Sequence, residues 1–574
     1  MLSGAQLSKA LRVPHAPEGS RAENYLLNHD LQPVRRDARA WTAKSYAAFW
    51  LADGCNINVL MIAASAMTAG LTWWEALVST AIGYSISAVF VVLMARIGAT
   101  THCSFPVVTR ASFGLFGALW PVLNRAVMAC VWQGVQAFIG GKCVTVTLRS
   151  IIPSYYNMAN RLPASAGVSS RDLLSFFLFG LLNLVCVLPS PQKIRHLFTV
   201  KAVVAPIALI SFLAWTLHDA GGLGSVIREP ATVHGSQRAW AFVGAVVSCV
   251  SNMATVVTNQ ADFARLANRR SAVLWPQLVS VPLVFTVTAA FGILIAAGGQ
   301  VITGTLEWDP ISLLNARLDF DPYHSGTRAA CFFIGFSFII VQLGVNIAAN
   351  SLSAGSDLTA LLPRYINIRR GSILCWAIGM AYCPWHVLSS SNNFATYLSA
   401  YSLFLSSIIG VILADYYVLR RGYFNVPRLF STHDDAGNGL SPYYFAKGIN
   451  LRAFAGYIAG IATSVTGFAG VLGADVSTAA QHIYTLSFFI GLLVSGGIYL
   501  FASWLFPVPG QISLAERKVW LEPRGATGWE DAYWTGAVAG AGAAADEEAA
   551  SSVDEKDAAV KEALPQQQVN TVSY

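Results

Sequence analysis

The sequence predicts an all-α polytopic membrane protein with twelve transmembrane helices, arranged as a five-plus-five inverted repeat with two peripheral helices. Only 12% of the 574 residues are charged and 55% are hydrophobic, with a mean hydropathy of +0.52, whereas soluble domains contain about 25% charged residues. Apolar runs of about 20 residues, long enough to cross a bilayer, recur along the chain. Two of these runs are interrupted by polar residues at corresponding positions.

Twelve apolar runs are the candidate membrane spans. They cover approximately residues 45–67, 74–95, 116–145, 173–189, 197–217, 239–259, 276–298, 329–353, 372–388, 394–418, 452–473 and 483–506. The first five form the predicted repeat 1 (about 45–217), the next five form repeat 2 (about 239–418), and the last two are the peripheral helices (about 452–506). An even number of spans places both chain ends on the same side of the membrane.

Arginine and lysine residues collect in the loops that follow even-numbered spans. These loops hold Arg96 and Arg110; Lys193, Arg195 and Lys201; Arg265, Arg269 and Arg270; Arg364, Arg369 and Arg370; and Arg420, Arg421 and Arg428. Because positively charged short loops stay in the cytosol, we expect both chain ends to be cytoplasmic. The net charge of +7 therefore reflects membrane topology and predicts no nucleic-acid partner.

The two chain ends are expected to be cytoplasmic tails around a transmembrane transporter domain at residues 45–506. Residues 1–44 are polar and contain no cleavable signal peptide. Residues 507–574 are predicted to be largely disordered, because 536–574 is rich in Ala, Gly, Asp and Glu and lacks apolar periodicity. Lys556 and Lys561 are candidate ubiquitin attachment sites there, and a simple solubilising tail is the alternative.

The reactive residue types form neither an enzyme-like nor a metal-binding pattern. The nine cysteines are scattered through the apolar runs without a CxxC pair, which predicts neither a zinc site nor a disulfide framework. No paired carboxylates, spaced histidines or Ser/His/Asp grouping converge at one membrane face. A channel is disfavoured too, because the sequence shows no charged ring or repeated carbonyl filter. We therefore expect no catalysis, no metal and no cofactor.

Polar residues interrupt two of the spans near their middle. The first span contains LADGCNIN at residues 51–58, and the sixth has a weaker polar point at Ser251 and Asn252. Interruptions at corresponding positions of two halves are typical of transporters with inverted repeats, which bind substrate at the broken helices. Two chance polar patches in a helix bundle are the alternative. Asp53, within the first interruption, is a candidate proton carrier, unless its carboxylate caps the broken helix.

The third span carries an aromatic and an amide side chain on one helical face. Trp132 and Gln136 are four residues apart and therefore lie over each other in an α-helix. An indole beside a primary amide suits a flat ligand edged with N–H and C=O groups. Helix packing is the alternative interpretation, since glutamine also forms hydrogen bonds between membrane helices.

A second pair, on the eighth span, supports the ligand interpretation. Asn346 and Asn350 are again four residues apart, next to Ala348 and Ala349, which allow close helix approach. A carboxamide donates and accepts at once, as the N–H/C=O edge of a uracil, hydantoin or purine requires. These neutral groups predict a small, neutral, planar substrate, because a charged substrate would require a countercharge in the spans.

With these residues in place, the chain resembles the first class of the nucleobase-cation symporter family, in its fungal uracil/allantoin permease branch, over about residues 28–428. The resemblance rests on NHDLQPVRRDARAW (28–41), LADGCNIN (51–58), Trp132 with Gln136, NQADFARL (259–266), NIAANSLSAGSDLTALLP (346–363) with NIRRG (367–371), CPW (383–385) and ADYYVLRRG (414–422). It implies a leucine-transporter-type fold with alternating access. It also implies cation-coupled uptake of nucleobases or related ureides at the plasma membrane.

The resemblance also assigns residues to a substrate site. The family's stacking tryptophan and its amide partner match Trp132 and Gln136, and two asparagines that line the site match Asn346 and Asn350. Bacterial hydantoin-transporting relatives have a second tryptophan where this chain has Met253. A flexible thioether is therefore expected to face the ligand at that position.

The cation site departs from the pattern of sodium-coupled relatives. Those relatives carry small hydroxyl residues just ahead of the first asparagine of the eighth span, where this chain has Gly344 and Val345. Apolar groups cannot replace hard oxygen ligands. We therefore expect proton coupling, with Asp53 as the first residue to test.

The sequence thus predicts a plasma-membrane secondary active transporter that takes up uracil, allantoin or a related nucleobase or ureide together with a proton. A nucleoside or vitamin substrate, such as uridine, thiamine or nicotinamide riboside, is one alternative. A nutrient receptor that binds its ligand without transporting it is another. Competition by free uracil separates the first two possibilities, and accumulation of the ligand separates the third.

Overall fold

The regular structure of the described chain is helical. The computed structural model describes residues 12–13, 23–188, 191–222, 230–433, 439–509, 511 and 520–522. Within those ranges, nine helices are long and apolar enough to cross a membrane, or eleven segments if each of two bent helix pairs is one span. Helices occupy all twelve predicted spans, and the ninth, Ile368–Ala381, has only 14 residues. The predicted all-α polytopic fold class is confirmed.

The first half of the membrane domain begins with a bent pair of helices. Its α-helices are α1 (Ala43–Gly54), α2 (Ile57–Thr68), α3 (Trp73–Thr101), α4 (Phe105–Phe113), α5 (Leu119–Ile151), α6 (Ser170–Val187) and α7 (Pro191–Asp219). Helices α1 and α2 form one span bent by 56°. Helix α5 has 33 residues, and at 1.5 Å per residue it is about 50 Å long. It therefore extends through the full thickness of a bilayer.

The second half is distinguished by two π-helical segments. Its α-helices are α8 (Gly235–Thr258), α9 (Gln260–Ala264), α10 (Trp275–Thr303), α11 (Pro310–Phe320), α12 (Ser325–Val345), α13 (Leu352–Leu361), α14 (Ile368–Ala381) and α15 (Ser391–Leu413). The π-helical segments Asn346–Ser351 and Ala414–Leu419 lie in the eighth and tenth spans. Such π-bulges occur frequently at functional sites. The peripheral helices are α16 (Leu451–Ala462), α17 (Val465–Val471), α18 (Thr478–Thr485) and α19 (Ser487–Leu505).

The predicted interruption of the first span is confirmed, between α1 and α2. Asn56 stabilises it: its Oδ1 accepts a hydrogen bond from the Val59 N–H at 2.9 Å, and its Nδ2 donates to the Asp53 carbonyl oxygen at 2.5 Å. The alternative that the Asp53 carboxylate caps the helix is wrong, because Asn56 is the N-cap of α2. Asp53 Oδ1 is buried and has no hydrogen-bond partner within the described chain.

The predicted interruption of the sixth span at Ser251 and Asn252 is wrong, because α8 runs unbroken through both residues. Their side chains form hydrogen bonds to neighbouring helices instead. Asn252 Oδ1 accepts from Asn58 Nδ2 at 2.8 Å, and Ser251 Oγ bonds Ser402 Oγ at 3.0 Å. Without Gly or Pro here, nothing interrupts the backbone hydrogen bonds. The helix ends only at Asn259, which separates α8 from α9.

Lys201 is predicted from the sequence to be one of the loop cations, but it does not lie in a loop. It lies inside α7, because that helix already begins at Pro191. Its side chain is 2% exposed. A lysine at this depth is an intramembrane charge, and such charges usually face the interior of the bundle and serve a function.

Small residues hold the broken spans tightly in the bundle. A Cβ added at Gly292 of α10 would lie 2.6 Å from the Cα of Leu60 in α2, and one added at Gly98 of α3 would lie 2.6 Å from the Cα of Ala261 in α9. A larger side chain at either position would separate the two backbones. The close approach therefore fixes α2 and α9 against the two long helices.

The residues just before the first span are packed against one face of the bundle. Asn28 Nδ2 donates to the Pro363 carbonyl oxygen at 2.8 Å, and the Ile368 N–H donates to the Asp30 carboxylate at 3.2 Å. Leu31 is fully buried. These contacts make the second part of the predicted N-terminal tail an integral part of the fold. We call this side of the molecule the tail face; it comprises residues 28–41, 96–103, 363–368 and 420–429.

A short C-terminal stretch also binds the tail face. The Glu522 carboxylate accepts hydrogen bonds from Arg96 at 2.5 Å, Thr100 at 2.5 Å, Tyr416 at 3.1 Å and Trp520 at 3.0 Å. Burial opposes its ionisation, but the bonds from Arg96, Thr100 and Trp520 outweigh burial and lower the pKa of Glu522 to about 2. Glu522 thereby links the ends of the second and tenth spans. The stretch predicted to be disordered, 536–574 with Lys556 and Lys561, lies outside the described residues.

Candidate functional site

Four carboxamide side chains from α5 and the eighth span form one buried cluster. Gln342 Nε2 donates to Gln136 Oε1 at 2.6 Å, and Asn350 Nδ2 donates to Asn346 Oδ1 at 2.9 Å. The second bond shows that Asn346 and Asn350 share a face, although this turn is π-helical. Gln342 and Asn346 are 0% exposed, whereas Gln136 keeps 4% and Asn350 keeps 6%. Gln136 and Asn350 are therefore the members of the cluster that keep some accessible surface.

Gln133 connects this carboxamide cluster to its surroundings. Its Nε2 donates to Asn183 Oδ1 on α6 at 2.8 Å, and its Oε1 accepts from Ser351 Oγ at 2.8 Å. Its carbonyl oxygen accepts from Asn346 Nδ2 at 3.1 Å. Buried polar groups paired in this way restrict one another's orientation. The network therefore holds α5, α6 and the eighth span as one unit.

Trp132 lies one turn before Gln136 on α5 and packs against aromatic residues of α15. Its ring centroid is 6.4 Å from Phe394, 5.7 Å from Tyr397 and 6.2 Å from Tyr401, with interplanar angles of 85°, 62° and 79°. Edge-to-face contacts of this kind position an aromatic ring. None of the three rings lies parallel to the indole, so none of them occupies a stacking position on it.

Met253 is buried on α8 at 2% exposure. The neighbouring Ser251 and Asn252 join this part of the helix to the tenth span and to α2. These contacts place Met253 between the broken first span and α15, but they do not connect it to the carboxamide cluster. Its position against a ligand remains a prediction.

A buried acid and a buried amine lie on packed helices beside the break in the first span. Asp53 is 8% exposed and Lys201 is 2% exposed, and α7, which carries the lysine, packs against α1 and α12. Gly344 of α12 makes room for the lysine, because a Cβ there would lie 2.6 Å from Lys201 Cδ. The position that lacks a hydroxyl residue in the sequence is therefore filled by the lysine side chain.

A buried ion pair lies two turns from Trp132, toward the start of α5. Arg125 Nε pairs with Asp357 Oδ2 of α13, and the two side chains are 1% and 0% exposed. In the amide orientation that satisfies both of its side-chain atoms, Asn259 accepts from Arg125 Nη1 at 3.0 Å and from Ser353 Oγ at 2.7 Å. The ion pair therefore joins α5 and the eighth span to the point where the sixth span breaks.

Three residues of this region, Gln133, Gln342 and Lys201, are not among the site residues predicted from the sequence. A signal was present for Gln342, which precedes Asn346 by four residues and so continues the same helical face. Lys201 is the fifth residue of the predicted fifth span, where a lysine at a helix end usually reaches the interface. Only the packing of α7 against the first and eighth spans shows that it points inward.

Comparisons with known proteins show the family of the chain. The family described as permease for cytosine/purines, uracil, thiamine and allantoin matches residues 33–491. The chain belongs to the nucleobase-cation symporter 1 family. The Saccharomyces cerevisiae allantoin permease is 44% identical to this symporter over 502 residues, which are 86% of this chain and 78% of the permease. The uracil permease of the same yeast is 41% identical over 497 residues, which are 85% and 77% of the two chains.

A solved structure confirms the predicted leucine-transporter-type fold of this symporter. Mhp1, a nucleobase-cation-symport-1 family transporter in a closed conformation with bromovinylhydantoin bound, is similar with a TM-score of 0.66 and 22% identity. The similarity covers 86% of this chain and 98% of Mhp1. The inward-facing conformation of Mhp1 also has a TM-score of 0.66. At this identity the likeness establishes the fold and leaves the ligand of the symporter open.

The symporter has a cavity of about 370 Å³ near the end of α5 that lies away from the tail face. Phe138, Lys142 and Trp385 are among its lining residues. Lys142 Nζ also pairs with Asp309 Oδ2 at 2.8 Å, and the rings of Phe138 and Trp385 are 6.1 Å apart. The four carboxamide residues are not among the lining residues of this cavity.

Proposed function

We propose that the chain carries a neutral, planar imide or ureide, such as uracil or allantoin, into the cell by proton-coupled alternating access. The observation that carries the proposal is the buried cluster in which Gln136, one turn from Trp132, and Asn350 keep some accessible surface. Amides bind the N–H and C=O groups of such a ring, and an indole adds stacking worth about 1–3 kcal/mol. The relatives named uracil permease and allantoin permease support the same substrate class.

Proton coupling is supported by the surroundings of the first break. Asp53 is a buried carboxylate with an oxygen that has no partner in the described chain, and Lys201 is a buried amine on α7, which packs against α1. A sodium ion requires several oxygen ligands, and a neighbouring ammonium group would repel it. The Lys201 side chain lies against Gly344, which the sequence marks as the place of the missing oxygen ligand. We therefore infer that the coupling ion is a proton, which Asp53 and Lys201 bind and release.

We assign the tail face to the cytosol and the transporter to the plasma membrane. The tail face carries Arg96, Arg364 and Arg420 together with the residues that lead into both chain ends, and positively charged loops stay inside. In this orientation the cavity at Lys142 opens toward the outside. Substrate would then pass Phe138 and Trp385 before it reaches Gln136.

Two other functions remain distinct candidates. The uridine permease of Saccharomyces cerevisiae is 38% identical over 513 residues, which are 88% of this chain and 79% of that permease, so a nucleoside substrate is compatible with the same fold. A nutrient receptor would bind ligand in the same site without accumulating it. Trp132 is only 4% exposed, and this tight packing around the indole favours the free base over a bulkier nucleoside.

Uptake of radiolabelled uracil by cells that lack their own permeases tests the proposal. Allantoin, uric acid, uridine and thiamine serve as competitors, and the assay is repeated with a protonophore and with sodium replaced by choline. We expect accumulation that allantoin inhibits, that the protonophore stops and that sodium removal leaves unchanged. Uptake of uridine or thiamine alone would overturn the substrate assignment, and surface-localised protein that binds without accumulating would indicate the receptor.

Gln136→Ala and Asn350→Ala are each expected to abolish uptake while the protein still reaches the cell surface. Each variant leaves one polar group of the bound ligand unsatisfied, at about 1–3 kcal/mol, or about 5- to 150-fold in affinity. Uptake rate and surface fluorescence of a tagged transporter measure the two effects. Ser79→Ala is the matched control, because this buried serine of α3 donates to the Ala76 carbonyl oxygen of its own helix. Normal uptake by both amide variants would contradict the proposed site.

Trp132→Phe is expected to keep partial uptake, whereas Trp132→Ala loses it. Phenylalanine preserves an aromatic plane for stacking and the contacts with α15, and alanine removes both. The Michaelis constant for uracil is the quantity to compare, because stacking contributes to ligand binding. Equal transport by the two variants would indicate that Trp132 acts in packing alone.

A further inference from the structure

The carboxamide cluster has a defined hydrogen-bond polarity. Gln342 Nε2 donates to the side-chain oxygen of Gln136 at 2.6 Å and to its backbone oxygen at 3.3 Å. Because two acceptors hold this one nitrogen, the Gln342 amide cannot turn over without losing both bonds. Gln136 Oε1 is therefore engaged within the protein. The N–H groups of Gln136 Nε2 are what remains for a ligand.

Asn350 has the opposite polarity. Its Nδ2 donates to Asn346 Oδ1 at 2.9 Å. Asn346 is itself fixed, because its Nδ2 donates to the Gln133 carbonyl oxygen at 3.1 Å. The oxygen of Asn350 is therefore left for a ligand. The site presents the N–H groups of Gln136 from α5 and the oxygen of Asn350 from the eighth span, and the Asn350 Nδ2 keeps one further N–H.

The orientation of Gln342 is not the one that would satisfy its own polar atoms best. The residue is 0% exposed, and its Oε1 has no hydrogen-bond partner within the described chain. An unpaired buried oxygen is unfavourable. A glutamine retained only for helix packing would not need this arrangement. In this orientation Gln342 Nε2 donates to Gln136, while the side-chain oxygen of Gln342 has no partner within the described chain.

We propose that Gln342 is a specificity-determining positioning residue, which selects the substrate by fixing the Gln136 amide as a hydrogen-bond donor. The proposal rests on the proposed function and deepens it. The imide edge of uracil places a carbonyl oxygen beside an N–H, which complements one donor and one acceptor. The corresponding edge of cytosine places an amino group beside a bare ring nitrogen. With Gln136 held as a donor, the cytosine amino group would face the Gln136 N–H groups, and the bare ring nitrogen would face the Asn350 oxygen. A buried site strongly disfavours such donor–donor and acceptor–acceptor pairs.

Equilibrium competition binding with the purified full-length transporter tests this role. Radiolabelled uracil is the ligand, and unlabelled uracil and cytosine are the competitors. We expect the wild type to prefer uracil by at least about tenfold, the effect of one mispaired buried group. In Gln342→Met, which preserves volume, the Gln136 amide can rotate and present either its N–H groups or its oxygen to the ligand. The ratio of the cytosine Kd to the uracil Kd is therefore expected to fall by about tenfold or more.

Two further variants separate positioning from a structural role. Ser351→Ala removes a hydroxyl that donates to Gln133 Oε1 at 2.8 Å, so it disturbs the same buried network without touching Gln136. It is expected to keep the wild-type ratio, whatever its effect on stability. Gln342→Asn replaces Gln342→Met if the latter does not fold, because its amide is one methylene too short to reach Gln136, and the same fall in the ratio is expected.

Equal binding of uracil and cytosine by the wild type would overturn the proposal, as would an unchanged ratio in the Gln342 variant that folds. A ratio that falls as much in Ser351→Ala as in Gln342→Met would also overturn it, by showing a general loss of site geometry. Failure of the wild type to bind either uracil or allantoin would instead overturn the proposed function, and the role of Gln342 with it.

Discussion

Lys201→Met is expected to abolish accumulation of substrate against its gradient. Methionine keeps most of the length and volume of lysine but removes its buried charge, on the helix that packs against the one carrying Asp53. A carboxylate left at that depth without a cation is held in its neutral form, so the proton is no longer released during the cycle. A difference of one pH unit is worth about 1.4 kcal/mol. Loss of coupling therefore lowers the accumulation ratio by about tenfold for each unit of pH difference.

Asp53→Asn provides the second arm of this test, because a carboxamide imitates the permanently neutral acid. Substrate accumulation at equilibrium and its sensitivity to a protonophore are measured in both variants, with surface expression as the reference. Protonophore-sensitive accumulation at the wild-type ratio in both Lys201→Met and Asp53→Asn would rule out this pair as the coupling site.

Gly344→Ala tests the same site without removing a charge. The added methyl group would lie 2.6 Å from Lys201 Cδ and displace the lysine. We expect reduced accumulation from Gly344→Ala alone, and little further effect in the Lys201→Ala background, where the space is free. Such dependence of one mutation on the other is the signature of residues in contact. If the losses of accumulation caused by the two mutations are additive, Gly344→Ala does not act through Lys201.

The second large effect is expected at the buried Arg125–Asp357 pair. Arg125→Met leaves the Asp357 carboxyl group without its partner in a site that is 0% exposed. Breaking a buried ion pair from one side destabilises a protein by about 3–5 kcal/mol. Arg125→Met is therefore expected to be retained inside the cell and to unfold at a lower temperature after extraction in detergent. Asp357→Leu leaves Arg125 without its partner and is also expected to be retained inside the cell and to unfold at a lower temperature.

Arg125→Met combined with Asp357→Leu is expected to be more stable than either single variant. The double variant removes both charges together, and replacing a whole buried pair with apolar residues is often neutral. Thermal unfolding and surface fluorescence compare the three proteins. Arg35→Met is the control, because the Arg35 and Asp37 side chains are 64% and 77% exposed, and such pairs contribute only about 0–1 kcal/mol. A double variant less stable than both singles would contradict this account.

The sequence predicts two polar helical faces for the candidate site, but it does not predict the hydrogen bonds that connect them. The spacing of Trp132 with Gln136 and of Asn346 with Asn350 is visible in one chain, because residues four apart share a face of a helix. The bond between Gln342 and Gln136 joins residues 206 positions apart. No local pattern encodes such a pair. The depth of Lys201 was hidden for the same reason, since the packing of α7 decides which way its side chain points.

The predicted interruption of the first span is present in the structure, whereas the one predicted in the sixth span at Ser251 and Asn252 is not. Gly54 and Asn56 weaken the helix where they stand, and Asn56 can cap the next helix from its own position. Ser251 and Asn252 are also polar, yet they stay helical because Ser402 and Asn58 on other helices supply their hydrogen-bond partners. Whether a polar residue breaks a membrane helix thus depends on neighbours that the local sequence does not contain.

The sequence by itself determined the membrane class, the twelve helical spans, the first break and the polar faces that carry the candidate site. These features follow from composition and from periodicities of a few residues. Only the tertiary structure decided that Lys201 fills the space beside Gly344, that Arg125 pairs with Asp357, and that Gln342 turns Gln136 into a donor. Each of these depends on how distant helices pack. In a low-dielectric interior, that packing sets which polar group faces which.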